Sequence, residues 1–536
     1  MKSIFIISFL CLLNIQVYSQ AVFEPITSGV YDFIDELSAL KIIEINSAVK
    51  PYTRKKIAQL FSKIDTSELN RRQQKELEFY MLDFNKELHP NKDFNKRIDL
   101  FYYADSLFKI TLNPIGGIRY YTNSNGNIVH RWNGAETYGS LGKHFGFSAS
   151  LRDNGISQAL STPDQLTQFQ GGNFKYNQGV EMQRTDFNEM KGGISWSWQW
   201  GSISLLKDHF TWGNNYNGAN IFSAHQPSFA FIQLKLNPTS WLDFNYIHGW
   251  LVSQIVDSTR SYFIGGQRRR VFHDKYLASN MFTITPFKNF NFSFGNSIIY
   301  GDIGEHPAYL IPFFFYKSID HTYNGTGGND IGQNSQLFFD ISSRQIKHLH
   351  IYSTLFIDEV RIGKIFSESQ HTNLFSWKAG LRLFDFPVNN VWLTAEYTRT
   401  NPWTYTHNIA VTTFESNNYN LGHYLRDNAD EVFLELSWLP MKNLRCNLSW
   451  AKARKGPEMI YEEINGINNI PGSTFMEHVR WWDKYLAVKI SWEAINDGTL
   501  YLELRSEQNS GLIDLYSPAL FRGSTLTLIT GINFGF

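Results

Sequence analysis

Three polar stretches of this 536-residue chain carry the side chains with the most chemical capacity. The first holds Asp208, His209 and Trp212. The second is Arg268, Arg269 and Arg270. The third holds Trp403, Tyr405, His407, His423 and Arg426. Sugar recognition uses these types: flat rings stack on C–H faces, planar polar groups hold hydroxyls, and the Arg fork matches a carboxylate. All eleven are therefore candidate glycan-binding residues. Plainer uses exist for the same groups. Rings at the foot of a loop form an aromatic girdle at a membrane interface, and three consecutive arginines can meet lipopolysaccharide phosphates. Catalysis is poorly served. Asp208-His209 and His273-Asp274 are adjacent pairs, and neighbours on a strand point to opposite faces. No motif marks a nucleophilic Ser. Gly325-Thr326-Gly327-Gly328-Asn329 lacks the Lys-Ser/Thr that completes a phosphate-binding loop. The expectation is a protein that is not an enzyme and carries no cofactor and no metal.

The elements that position these groups follow from composition and periodicity. Lys+Arg and Asp+Glu balance at 49 each, which argues against a nucleic-acid partner. Aromatics reach 16% while charged residues stay at 18%, yet mean hydropathy is −0.30. A helical membrane protein is more apolar, and a disordered chain is poorer in rings. Lipid-facing rings alternating with polar residues along strands fit all three figures. Cys11 and Cys446 are the only cysteines. Cys11 falls in the leader, so neither an intrachain disulfide nor a Cys-based zinc cluster is expected in the mature chain.

Residues 1–19 read as a signal peptide. Lys2 gives the charge, Ile4 to Val17 the apolar region, and Val17-Tyr18-Ser19 the small-residue site, with cleavage before Gln20. The best later apolar run, Ala308 to Tyr316, is broken by Pro312 and falls short of the ~20 residues of a membrane helix.

Residues 20–106 form a helical segment. Val30, Phe33, Ile34, Leu37 and Leu40 share one face, as do Ile57, Leu60, Phe61 and Ile64, and then Leu77, Tyr80, Met81, Phe84 and Leu88. Thr53 marks the second start, Ser67 or Thr66 would cap the third helix, and Pro90 ends it. Arg71, Arg72, Lys75 and Glu76 read as its solvated face.

From 107 to 536 the period is two. Ile194, Trp196, Trp198 and Trp200 alternate with Ser195, Ser197 and Gln199. Leu500, Leu502 and Leu504 alternate with Tyr501, Glu503 and Arg505. About 18 such strands are expected, an even number. The second is expected at 134–141 and the fourth at 192–200. Short turns, such as Gly142-Lys143 and Asn496-Asp497-Gly498, are read as alternating strictly with long polar loops. That parity belongs to an all-β transmembrane barrel with periplasmic turns and exterior loops, and a soluble sandwich has no reason to keep it. The last strand ends on Phe536, a terminal aromatic similar to the outer-membrane insertion signal. Arg382, Glu396, Glu435, Arg445, Lys489, Glu503 and Arg505 would then point inward, and their mixed signs predict a lumen partly filled by ion pairs. The helices would sit at the periplasmic mouth.

Signal peptide, helices and then about 18 strands resemble the Wzi family of capsule-assembly outer-membrane proteins, in its Bacteroidetes branch. The stretches that carry the resemblance are Ser28–Leu37 with Lys50-Pro51-Tyr52-Thr53-Arg54; Lys207–Gly213 with Pro227-Ser228-Phe229; Tyr309–Phe313; and Pro402–His407 with Leu421-Gly422-His423. Together they span the mature chain. The resemblance implies non-catalytic binding that attaches or assembles surface (capsular) polysaccharide, and a barrel whose periplasmic end the helices occlude. It also brings in relatives associated with gliding motility, including RemB, so a component of gliding or surface machinery is the alternative and an outer-membrane channel the third reading. The expected partners are surface polysaccharide, outer-membrane lipid and lipopolysaccharide, with a periplasmic or surface protein in the gliding case.

Overall fold

Residues 21–89, 94–174, 185–325, 332–360, 373–459 and 473–535 are described by the structure, a computed structural model. The leader at 1–19, Phe536 and residues 326–329 of the glycine-rich stretch lie outside them.

Eighteen antiparallel strands close into one barrel. They begin with β1 Phe108–Asn123, β2 Gly126–Leu141, β3 Phe145–Ile156, β4 Thr185–Trp198, β5 Gly201–Asp208 and β6 Phe229–Thr239. Next come β7 Leu242–Leu251, β8 Lys275–Phe287, β9 Phe290–Gly301, β10 Asn334–Ser343, β11 Leu349–Glu359 and β12 Leu374–Phe384. The wall ends with β13 Val391–Thr400, β14 Ala429–Met441, β15 Leu444–Lys455, β16 Trp481–Ile495, β17 Gly498–Gly511 and β18 Ser524–Phe534. β18 pairs with β1 from Leu528↔Thr122 to Phe534↔Gly116, so the sheet has no free edge. Closure is what lipid demands, because an unpaired backbone group there costs several kcal/mol. The alternation follows suit. Leu500, Leu502 and Leu504 are 44–47% exposed on the outside, while Glu503 between them is 8% exposed inside.

The connections correct one expectation. At the long-loop end, β1 and β2 are joined only by Ser124 and Asn125, so turns and loops do not alternate strictly. Asn123 Oδ1 accepts the Asn125 amide at 2.8 Å, and Gly126 takes φ +134°. The polar run there is a tight turn. β2 therefore starts at Gly126 rather than 134, and β4 at Thr185 rather than 192.

Three helices fill the short-turn mouth: α1 Val30–Ala39, α2 Arg54–Phe61 and α3 Arg71–Leu88. They pack round Phe33, Phe61, Tyr80 and Phe84. Thr53 caps α2 by accepting the Lys56 amide. Thr66 and Ser67 do not cap α3; they sit in a 3-10 turn, and Asn70 forms a capping box with Gln73. The solvated face is also corrected. Arg71 and Lys75 are exposed, but Arg72 and Glu76, four apart on the helix, are buried. Arg72 pairs with Glu76 at 2.5 Å and with Glu36 of α1, which is what allows these charges inside.

The helical segment meets the wall around its circumference. Lys86 reaches Tyr138 of β2, Pro51 accepts from Lys235 of β6, and Asn46 donates to Asp243 of β7. Arg72 bonds Asn390 between β12 and β13, and Arg97 pairs with Asp497 between β16 and β17. From the opposite end, residues 209–228 fold into the lumen. Trp212 pairs with Val49 and Thr211 with Lys50 in a two-stranded ladder, so the two inward segments touch.

One long connection runs outside. Residues 307–315 and helix α4, Tyr316–Asn324, lie against the outer wall of β7–β9. Asn280 and Asn296 sit mid-strand on the lipid-facing rows of β8 and β9. Asn280 donates to the Pro312 and Phe314 carbonyls, both at 2.9 Å, and Asn296 accepts the Tyr316 amide at 2.9 Å. The strap presents Leu310, Ile311, Phe313, Phe314 and Phe315 outward in their place.

Candidate functional site

The structure scatters the eleven expected residues. Trp212 is fully buried among Phe210, Phe222 and Phe338. Tyr405, 3% exposed, joins the same lumenal apolar cluster and donates its hydroxyl to the Asn220 carbonyl at 2.5 Å. Trp403, also 3% exposed, donates to Ser473 Oγ at 3.0 Å. Their ring faces are covered, which corrects the expectation of rings exposed in exterior loops: these loops have cores of their own. His423 is fully buried, 3.6 Å from Glu431, and burial lowers its pKa. His407 is half-buried against Thr412, and burial brings it to about 4. Arg426 is half-buried and holds the Asp164 carbonyl at 2.9 Å. Arg268, Arg269 and Arg270 alone are fully on the surface, on an exposed hairpin, Val256–Ile264 with Gln267–Phe272.

Asp208 and His209 meet something the other nine do not. They border a chamber of about 710 Å³ inside the barrel. Asp208 accepts the His209 amide at 2.8 Å, and the His209 ring reaches the Gln226 carbonyl at 3.1 Å. Burial lowers the His209 pKa, with Glu189 opposing, so the ring is neutral near pH 7.

The chamber's wall is built from the inward rows of β1–β4 and β15–β17. Trp132 of β2 lies flat against Gly117 of β1; a Cβ there would stand 2.3 Å from the indole. Arg119 is seated the same way against Gly531 of β18, where a Cβ would meet its Cγ at 2.7 Å. The Arg152 guanidinium lies 4.4 Å from the Trp132 ring, and that of Arg119 lies 5.9 Å from Trp132 and 5.0 Å from Tyr501. Lys489 is 5.1 Å from Tyr501. Among the described residues, Arg119, Arg152, Lys191 and Lys489 form no salt bridge, and Arg152 Nε has no hydrogen-bond partner.

The plug closes the other end. Asp32 of α1 pairs with Arg382 at 2.8 Å and with Arg445. Burial opposes ionisation of Asp32, but the two arginines outweigh it and hold its carboxyl below the ordinary range. Glu76 and Tyr80 of α3 complete the floor. The seven residues expected inside, Arg382, Glu396, Glu435, Arg445, Lys489, Glu503 and Arg505, all lie on inward rows, and several are ion-paired, such as Arg505 with Glu507 at 2.5 Å. Sequence reading missed His130, Trp132, Phe187, Glu189 and Lys191 because β2 and β4 were cut short, which left these residues in loops. Arg119 and Tyr121 were within reach of the alternation, since Ile118 and Tyr120 beside them are exposed.

No family model matches the chain, and no curated protein does. Among solved structures, the chain is similar to Wzi from Escherichia coli, an outer membrane protein involved in group 1 capsule assembly and described as a carbohydrate-binding β-barrel. The TM-score is 0.58 at 12% identity, over 96% of this chain and 100% of that one. Two Pseudomonas aeruginosa barrels also align. OccD3 (OpdP) has a TM-score of 0.43 at 12% identity, over 80% of this chain and 90% of its own. OprD has 0.42 at 8% identity, over 79% and 92%. The likeness to Wzi establishes the fold, an outer-membrane β-barrel.

Proposed function

We propose that this barrel binds surface polysaccharide and helps attach or assemble it, without catalysis, as a distant relative of Wzi in the Bacteroidetes branch. The observation that carries this reading is a lumen with a closed floor. Helices wedge the short-turn mouth, loop 209–228 enters from the other end, and what remains is a chamber lined by rings and by four cations with no ion-pair partner among the described residues. Such a space suits binding rather than through-flow. The full-length likeness to a barrel described as carbohydrate-binding supports the same conclusion. In this reading the short-turn end is periplasmic and the long loops face the exterior.

The test is binding of the host's extracted surface polysaccharide by the purified, detergent-folded barrel. The expected result is saturable binding by the parent. The Arg268→Ala, Arg269→Ala, Arg270→Ala triple variant should bind with an affinity within about threefold of it, since that hairpin stands apart from the chamber and each exposed charge contributes little. Absence of binding by a correctly folded parent overturns the reading.

A further inference from the structure

We infer that the lumenal chamber is a dead-end subsite for the terminal sugars of an acidic saccharide, with a carboxylate held by Arg119 and Arg152 and a sugar face beside Tyr501. The inference rests on the polysaccharide-binding reading and adds to it the place, the ligand class and the mode of entry.

The class follows from charge. In the closed floor three of the acids have cations bonded to them: Asp32 has Arg382 and Arg445, Asp35 has Arg344, and Glu76 has Arg72, while Glu493 accepts from the Tyr80 hydroxyl. In the upper part Arg119, Arg152, Lys191 and Lys489 have no ion-pair partner among the described residues. Glu189, Asp208 and Glu503, the last directly across the ladder from Lys489, also face this part, yet none comes within salt-bridge distance of those four cations; Glu189 instead lies 3.8 Å from His209, and Glu503 accepts from the Tyr501 hydroxyl. A lumenal wall that gathers four half-buried cations without anions bonded to them has room for added negative charge. Arg152 Nε, buried and without a partner, is a donor left open. Both guanidinium groups sit within 5.9 Å of one indole, so their forks lie on a common patch. Paired forks of this kind suit a planar carboxylate.

The mode of entry follows from shape. The chamber measures about 710 Å³, within the range of small-ligand sites and too small for a polymer coil. Asp32, Glu76 and Tyr80 of the plug form its base, and Gln170, exposed in the long connection between β3 and β4, lies at the other end of its lining. A chain cannot thread past the plug. It can only present an end.

Tetragalacturonate is the probe, with a neutral galactose tetramer as control, read by Trp fluorescence and by competition against the host polysaccharide. The parent should bind the acidic tetramer at least about tenfold more tightly than the neutral one, the worth of one charge-assisted contact. The short acidic tetramer should displace the polysaccharide completely. Arg119→Gln with Arg152→Gln should lose both ligands by about tenfold or more. Trp132→Leu, a separate variant, should weaken the tetramer in a barrel whose heat-modifiable gel migration is normal. If polysaccharide binds equally to parent and double variant, the chamber proposal falls and the broader function stands. If the parent binds polysaccharide but not the acidic tetramer, the ligand class is wrong. If the parent binds neither, both readings fall together.

Discussion

Arg54 of α2 holds three carboxylates at once: Glu24 at 2.6 Å, Asp83 at 2.5 Å and Glu87 at 3.1 Å. One cation cannot neutralise all three. Burial is the main reason the Glu24 pKa rises from 4.5 to about 7, with Arg54 pulling it down and Asp83 pushing it up. The folded chain therefore keeps a proton that the unfolded chain gives up between those values, so the plug loses stability as pH rises through that window. Asp32 has the opposite sign: its lowered pKa contributes stability above 3.8 that is lost as pH falls. Hydrogen exchange of residues 21–89 in the full chain should show strongest protection in the mildly acidic range between the two limbs. Glu24→Gln should reduce the loss between pH 4.5 and about 7, leaving the share that burial of Glu36 and Glu76 contributes, and leave the acid limb intact. These charges are plain in the sequence, but their partners are not. Nothing about Arg54 or Asp32 in a line of text says that Asp83 or Arg445 stands opposite.

Elements were more legible than partners. Every expected strand has its counterpart in β1–β18, because a half-lipid, half-lumen wall imposes a period of two wherever it goes. The errors fell where that pattern weakens. In β2, Asn127, Asn133 and Thr137 dilute the outward row, and the tight Asn-rich turn resembled a loop. In β4, Asp186 and Asn188 did the same. Both misreadings removed chamber residues from view. The α3 cap erred differently: Thr66, Ser67 and Asn70 are all suitable types, and only the Gln73 side chain, bonded back to the Asn70 amide at 3.0 Å, selects among them. Asn70→Ala should destabilise the helical segment by about 1 kcal/mol, whereas Ser67→Ala should cost only a few tenths, about the level of an ordinary surface change. Exchange protection across α3 in the intact barrel checks both.

At the scale of the molecule, the barrel is closed laterally by β18–β1 and axially by the helices. In planar bilayers it should give no steady conductance. Arg382→Gln with Arg445→Gln removes both partners of Asp32 and should produce intermittent openings; steady current through the parent would mean that the plug does not seal. Topology was readable in advance because lipid forces closure, and the plug's location followed from strand parity. The expected exterior aromatic site was not borne out in its exposure, because loops long enough to fold inward bury their own rings, as Trp212, Trp403 and Tyr405 do.

The strap over β7–β9 sets a condition on how the barrel is made. Asn280 and Asn296 carry amides on a flank that meets acyl chains, and the strap backbone is what occupies them. Bare, the pair would keep only its mutual bond, Asn296 donating to Asn280 Oδ1 at 2.8 Å; the Asn280 donor and the Asn296 acceptor would enter hydrocarbon unsatisfied, at a cost of several kcal/mol. The strap leaves the wall at its long-loop end yet lies halfway down the outside, so it cannot be added late without passing its own polar backbone through lipid. Assembly thus has an order: the segment docks on the hairpin of β8 and β9 first, and the three move into the bilayer as one greased unit.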